Sequence, residues 1–75
     1  MTVTDNAFGS MMRSLRHSRS WSLTDAAKAS GGRITMQGIG RLETGDRMPS
    51  SKALSALAAA YGVTFLVDAD GIRIA

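Results

Sequence analysis

The stretch Thr35-Met36-Gln37-Gly38-Ile39-Gly40-Arg41-Leu42-Glu43-Thr44-Gly45 constrains this chain more than any other. Thr35 has the side chain of a helix N-cap, Ile39 and Leu42 lie three apart on one face, and Gly45 offers a left-handed stop. The pattern predicts a short helix. Gly38 and Gly40 weaken it by roughly 0.5 to 1 kcal/mol each relative to alanine. A close approach of the backbone must offset that cost, either to a neighbouring helix or to a ligand as large as a DNA groove.

Around this helix the chain is punctuated often. Met1 to Asn6 reads as a flexible N-terminus. Phe8, Met11, Met12 and Leu15 recur at helical spacing, which predicts a first helix of about ten residues fading by Ser18. Ser22 can cap a second helix, with Asp25 answering it in a capping box. Ala26, Ala27 and Ala29 give that helix a small-residue face suited to close packing, and Ser30-Gly31-Gly32 ends it. Pro49 excludes a helix interior from the turn at 45–50. Ser50 or Ser51 then starts a fourth helix carrying Leu54, Leu57, Ala58 and Tyr61, which Gly62 closes.

Beyond Gly62 the period changes to two. Val63, Phe65 and Val67 alternate with Thr64 and Leu66, and Ile72 and Ile74 flank Arg73. Asp68-Ala69-Asp70-Gly71 between them has hairpin turn chemistry. A lone two-stranded ribbon is marginal in water, so it needs the helices beneath it or a second copy beside it.

The totals narrow the function classes. Seventy-five residues make one marginally stable domain, and 44% apolar content is too high for a disordered tail. No apolar run approaches the roughly 18 residues of a membrane span, and no export signal is expected. Absence of cysteine removes disulfides and thiolate metal sites and suits a cytoplasmic location. Residues 6–62 hold Arg13, Arg16, Arg19, Lys28, Arg33, Arg41, Arg47 and Lys52 against Asp25, Glu43 and Asp46, whereas the ends are net acidic. A basic middle favours a polyanionic partner. His17 stands alone, and Asp68 and Asp70 lack the ligand series of a calcium loop, so no metal or other cofactor is expected. Nor is there a convincing nucleophile and base, and no enzyme is expected.

A helix with a small-residue face, a glycine turn and a second short helix is the arrangement that lays one helix on a phosphate backbone and its partner in the major groove. From Leu15 to Val63 the sequence resembles the lambda-repressor and Cro family of helix-turn-helix regulators, also called the xenobiotic-response-element type. Leu15-Arg16, Arg19 and Trp21-Ser22-Leu23 carry the resemblance first, then Ala27 and Gly31, then Ile39, Leu42, Glu43 and Gly45. Pro49, Leu54, Leu57 and Gly62-Val63 complete it. It implies a mostly α fold of four to five short helices with a C-terminal β-hairpin or strand pair, and a DNA-binding domain spanning 7–62. It also implies a structural ion pair between Arg16 and Glu43. Two departures stand out. Gly31 and Ile39 are separated by two residues more than the family usually has, placed at Gly32-Arg33-Ile34. Leu23 occupies a position where relatives often carry a backbone-contacting glutamine, leaving Thr24 as the nearest substitute.

On this reading Gln37 is the first choice for base recognition, because its amide can bond bidentately to adenine. Met36 can meet a thymine methyl, and Arg41 a base or a phosphate; solvent exposure or core packing are the alternative roles for each. Ser22, Thr24, Arg33, Thr35, Gly38, Arg47, Ser50 and Lys52 are candidates for the DNA backbone. Residues 63–75, with Phe65, Val67, Ile72 and Ile74, form a dimerisation element or else fold back on the chain's own helices. The expected function is a small prokaryotic or phage repressor acting as a homodimer on a palindromic operator, without a small-molecule ligand. An antitoxin-like or antirepressor module whose ribbon binds a protein partner is the alternative of a different class.

Overall fold

The computed structural model describes residues 7–75; the flexible end expected at 1–6 lies outside them. Four helices, α1 (Ala7–Ser18), α2 (Leu23–Ala29), α3 (Met36–Thr44) and α4 (Ser51–Tyr61), precede two strands, β1 (Phe65–Asp68) and β2 (Gly71–Ile74). The architecture is the expected one, mostly helical with a terminal antiparallel pair.

Local chemistry accounts for the boundaries. The Ser22 hydroxyl accepts from the Asp25 amide at 3.0 Å and the Asp25 carboxylate accepts from the Ser22 amide at 2.9 Å, closing the capping box that starts α2. Thr35 and Ser50 cap α3 and α4 with one bond each, accepting from the Gly38 and Ala53 amides at 3.0 and 3.1 Å. Gly45 and Gly62 end those helices in the left-handed region, with φ of 85° and 68°. α1 is two residues longer than the apolar stripe suggests, at 12 residues. Its end is a Schellman motif: the Trp21 amide donates to the Arg16 carbonyl and the Ser20 amide to that of His17. Ser20 fills the left-handed position at φ 56°, where glycine is usual.

The core is built from all four helices and the turn before α3: Met12, Ala26, Ile34, Ile39, Leu42, Ala56, Leu57 and Tyr61. In α4 the buried residues are Ala56, Leu57 and Tyr61, whereas Leu54 and Ala58, expected on the inner stripe, are half-buried. Alanine at 56 lets α4 come close to its neighbours, and the inner face rotates toward it. Trp21 stacks on Tyr61 with centroids 5.5 Å apart, and the Arg19 guanidinium lies over both rings while donating to the Tyr61 carbonyl at 2.6 Å. This ties the end of α1 to the end of α4. Burial, with the Glu43 charge adding to it, pushes the Tyr61 phenol above its ordinary pKa.

In the ribbon Phe65 pairs with Ile74, Val67 with Ile72, and Asp68 with Gly71. Phe65 packs against the core and meets Phe8 at 5.9 Å. Part of the apolar face expected to dimerise is therefore spent within the chain. Val67, 65% exposed, is not.

Candidate nucleic-acid interface

At 100° per residue, the buried residues of α3, Gly38, Ile39, Leu42 and Glu43, occupy one continuous arc. Met36, Gln37, Gly40, Arg41 and Thr44 fill the other. Met36, Gln37, Arg41 and Thr44 are exposed and Gly40 half-exposed. Gly40 lies at the middle of this face, between Met36 and Thr44 in the i, i+4 row and beside Gln37. The i, i+4 spacing from Met36 was the signal that could have placed Gly40 and Thr44 on it.

The two glycines of α3 have different reasons. A Cβ on Gly38 would come within 3.2 Å of Ile34 Cγ2 and Thr35 Oγ1, tighter than ordinary contact. Gly38, expected at the DNA backbone, is buried and its amide donates to the Thr35 hydroxyl. The approach it serves is that of the turn. A Cβ on Gly40 would meet only Leu23 Cδ1, at an ordinary 3.8 Å. Leu23 is half-buried against the core, which suits its apolar side chain.

The lengthened turn is ordered by its own residues. Gly31 and Gly32 both take positive φ, 70° and 77°. The buried Ser30 hydroxyl donates to the Ala27 carbonyl at 2.6 Å and accepts from the Ile34 amide at 3.2 Å, and Ile34 inserts into the core. Arg33, between the staple and the plug, is left exposed.

Behind the outward face, α3 is fastened electrostatically. Arg16 donates two parallel bonds to Glu43, Nε to Oε2 at 2.7 Å and Nη2 to Oε1 at 2.8 Å, and a third from Nη1 to the Trp21 carbonyl at 3.0 Å. Arg13 stands 3.5 Å from the same carboxylate, whose side chain is 2% exposed. The bond to Glu43 raises the Arg16 pKa further, against the opposing effect of burial. One fork thus links α1, the entry to α2 and the second half of α3.

The remaining candidates lie outside α3. Ser22, Thr24, Thr35, Ser50, Arg47 and Lys52 are all exposed. The Ser22, Thr35 and Ser50 hydroxyls accept within their caps, so each retains an O–H to donate. The Thr24 hydroxyl donates to the Met36 sulfur at 3.2 Å, drawing the 42%-exposed Met36 toward α2. Arg33, Arg47, Lys52, Ser50 and Ser55 line a cleft of about 570 Å³ beside α3, floored by Ile34, Leu42 and Ala53.

A pair of short helices joined by an ordered turn, the second locked from behind and presenting polar groups outward, defines the helix-turn-helix class. Residues 12–67 match the helix-turn-helix family of the lambda-repressor type, and the chain belongs to it. That family is one of DNA-binding regulators. No curated protein and no solved structure matches the chain. Among the described residues, no helix is long and apolar enough to cross a membrane.

Proposed function

We propose that the protein is a sequence-specific regulator that binds a palindromic operator in double-stranded DNA as a homodimer and represses by occupancy. The observation that carries this is the outward face of α3: Gln37 and Arg41 project from a helix that the Arg16–Glu43 fork holds rigid, beside a cationic rim. Gln37 and Arg41 read base edges, Met36 meets a thymine methyl, and Arg33, Arg47, Lys52 and the cap hydroxyls position the backbone. One such unit reads a few base pairs, so two copies on half-sites about 34 Å apart supply the rest. Val67, exposed on β1 at the open edge of the ribbon, is where the second copy pairs.

Selection of bound duplexes from a random pool, followed by a salt titration on the winner, tests this. Binding should weaken steeply with salt. Gln37→Ala should relax preference at one position; an equal loss on every sequence would remove Gln37 from base reading, and salt-independent or absent binding would remove the regulator reading altogether. The same exposed β1 also fits a foreign protein, the antitoxin-like or antirepressor alternative. A monomer at micromolar concentration that binds no DNA would select it.

A further inference from the structure

The cleft beside α3 has a charge pattern that the outward face does not. Its ionisable lining consists of Arg33, Arg47 and Lys52, with no acidic side chain, and its floor includes the buried Ile34 and Leu42. Among the described residues none of the three cations is in an ion pair. Arg33 comes from the lengthened turn before α3 and Arg47 from the loop after it. Because Gly38 has no side chain, the Arg47 guanidinium lies back over the first turn of α3, its Nη1 3.6 Å from where a Cβ would be. The three cations line the cleft without a counter-ion from the described residues, and an anion bound there would supply one.

We propose that Arg33 and Arg47 are the two jaws of one clamp, which holds a single phosphodiester of the DNA strand in this cleft. The proposal rests on the DNA-binding reading above. Guanidinium forks suit phosphate oxygens, and the cleft opens beside the helix proposed to enter the groove, so the charge and the place both fit a backbone phosphate. The turn before α3 thereby acquires a role: it carries the second jaw. A phosphate held between these two arginines fixes how deeply Gln37 enters the groove.

The test is the salt dependence of binding to one duplex by the wild type, Arg33→Ala, Arg47→Ala and the double variant. Both side chains are exposed, and thermal melts of each variant monitor the fold. With one shared phosphate, each single change should barely alter the slope of log K against log salt, because the other arginine still neutralises it. The double change should reduce the slope by about 0.9 per bound protomer. Slopes that fall by about 0.9 for each single change and by twice that for the double would assign separate phosphates and overturn the clamp. An unchanged slope in the double variant, with the wild type still binding, overturns the clamp and leaves the regulator reading standing. A wild type that binds no duplex overturns both. Calorimetric titration of the free protein with inorganic phosphate separates the sources: micromolar binding, with an unchanged DNA slope in the double variant, would reassign the cleft to a free anion and overturn the proposal.

Discussion

Glu43 shows how much a single side chain can organise. Its buried carboxylate receives two bonds from Arg16 and faces Arg13, so replacing it leaves a mostly buried guanidinium without its counter-ion. Breaking such a pair costs about 3 to 5 kcal/mol, and Glu43→Gln, which keeps the shape and part of the hydrogen bonding, should lose about 3 kcal/mol in urea unfolding. A loss below about 0.5 kcal/mol would show that the pair behaves as an exposed one. Gly40 argues the opposite way. No contact within the described residues requires it to lack a side chain, so Gly40→Ala should stabilise the protein by about 0.5 to 1 kcal/mol through helix propensity. Its place at the middle of the outward face predicts weaker DNA binding from the same change. A variant that melts higher and binds as well as the wild type would mean that DNA does not approach α3 there.

At the scale of the elements, the caps were the most legible features, because each depends on residues within a few positions of one another. Ser22 with Asp25, Thr35, Gly45 and Gly62 all act locally as their side chains or backbone freedom dictate. The end of α1 was not legible, since serine is not the residue that chemistry selects for a left-handed position. Ser20→Gly should relieve that strain, raising stability by about 0.5 kcal/mol after allowance for the freer unfolded chain. A fall in the melting temperature would show that the serine side chain contributes more than its backbone costs. The α2 cap also predicts a pH dependence. The bond from the Ser22 backbone amide, foremost, holds Asp25 below its ordinary 3.8. A depressed folded-state pKa means that the stabilisation is complete above the ordinary value and is lost as pH falls through the lower one. Acid titration of Asp25→Asn should therefore lack a step, below pH 3.8, that the wild type has; identical acid limbs would rule out the box as a source of acid sensitivity.

At the scale of the molecule, the ribbon divides its apolar residues between two tasks. Phe65 and Phe8 join it to the helices, whereas Val67 is left open at the ribbon's edge. On the proposed homodimer, Val67→Asp should leave helical circular dichroism unchanged and shift sedimentation toward a monomer, with a matching loss of DNA affinity; an unaltered dimer would place the interface elsewhere. The sequence by itself determined the type of the helices, the limits of α2, α3 and α4, the period-two tail, and the family, because these follow from local spacing, caps and the order of a few motif residues. Gln37 and Arg41 were legible as outward groups for the same reason, and Arg16 with Glu43 through the resemblance. Tertiary structure alone decided that Gly38 is buried under the turn while Gly40 lies on the outward face, that Leu23 packs beside it, and that Arg33 and Arg47 line one cleft. Those outcomes depend on which way α3 is rotated against α1 and α2. That rotation is set by the fit of Ile34, Ile39 and Leu42 into a shared core and by a fork between residues 16 and 43, contacts between distant parts of the chain that no local pattern encodes.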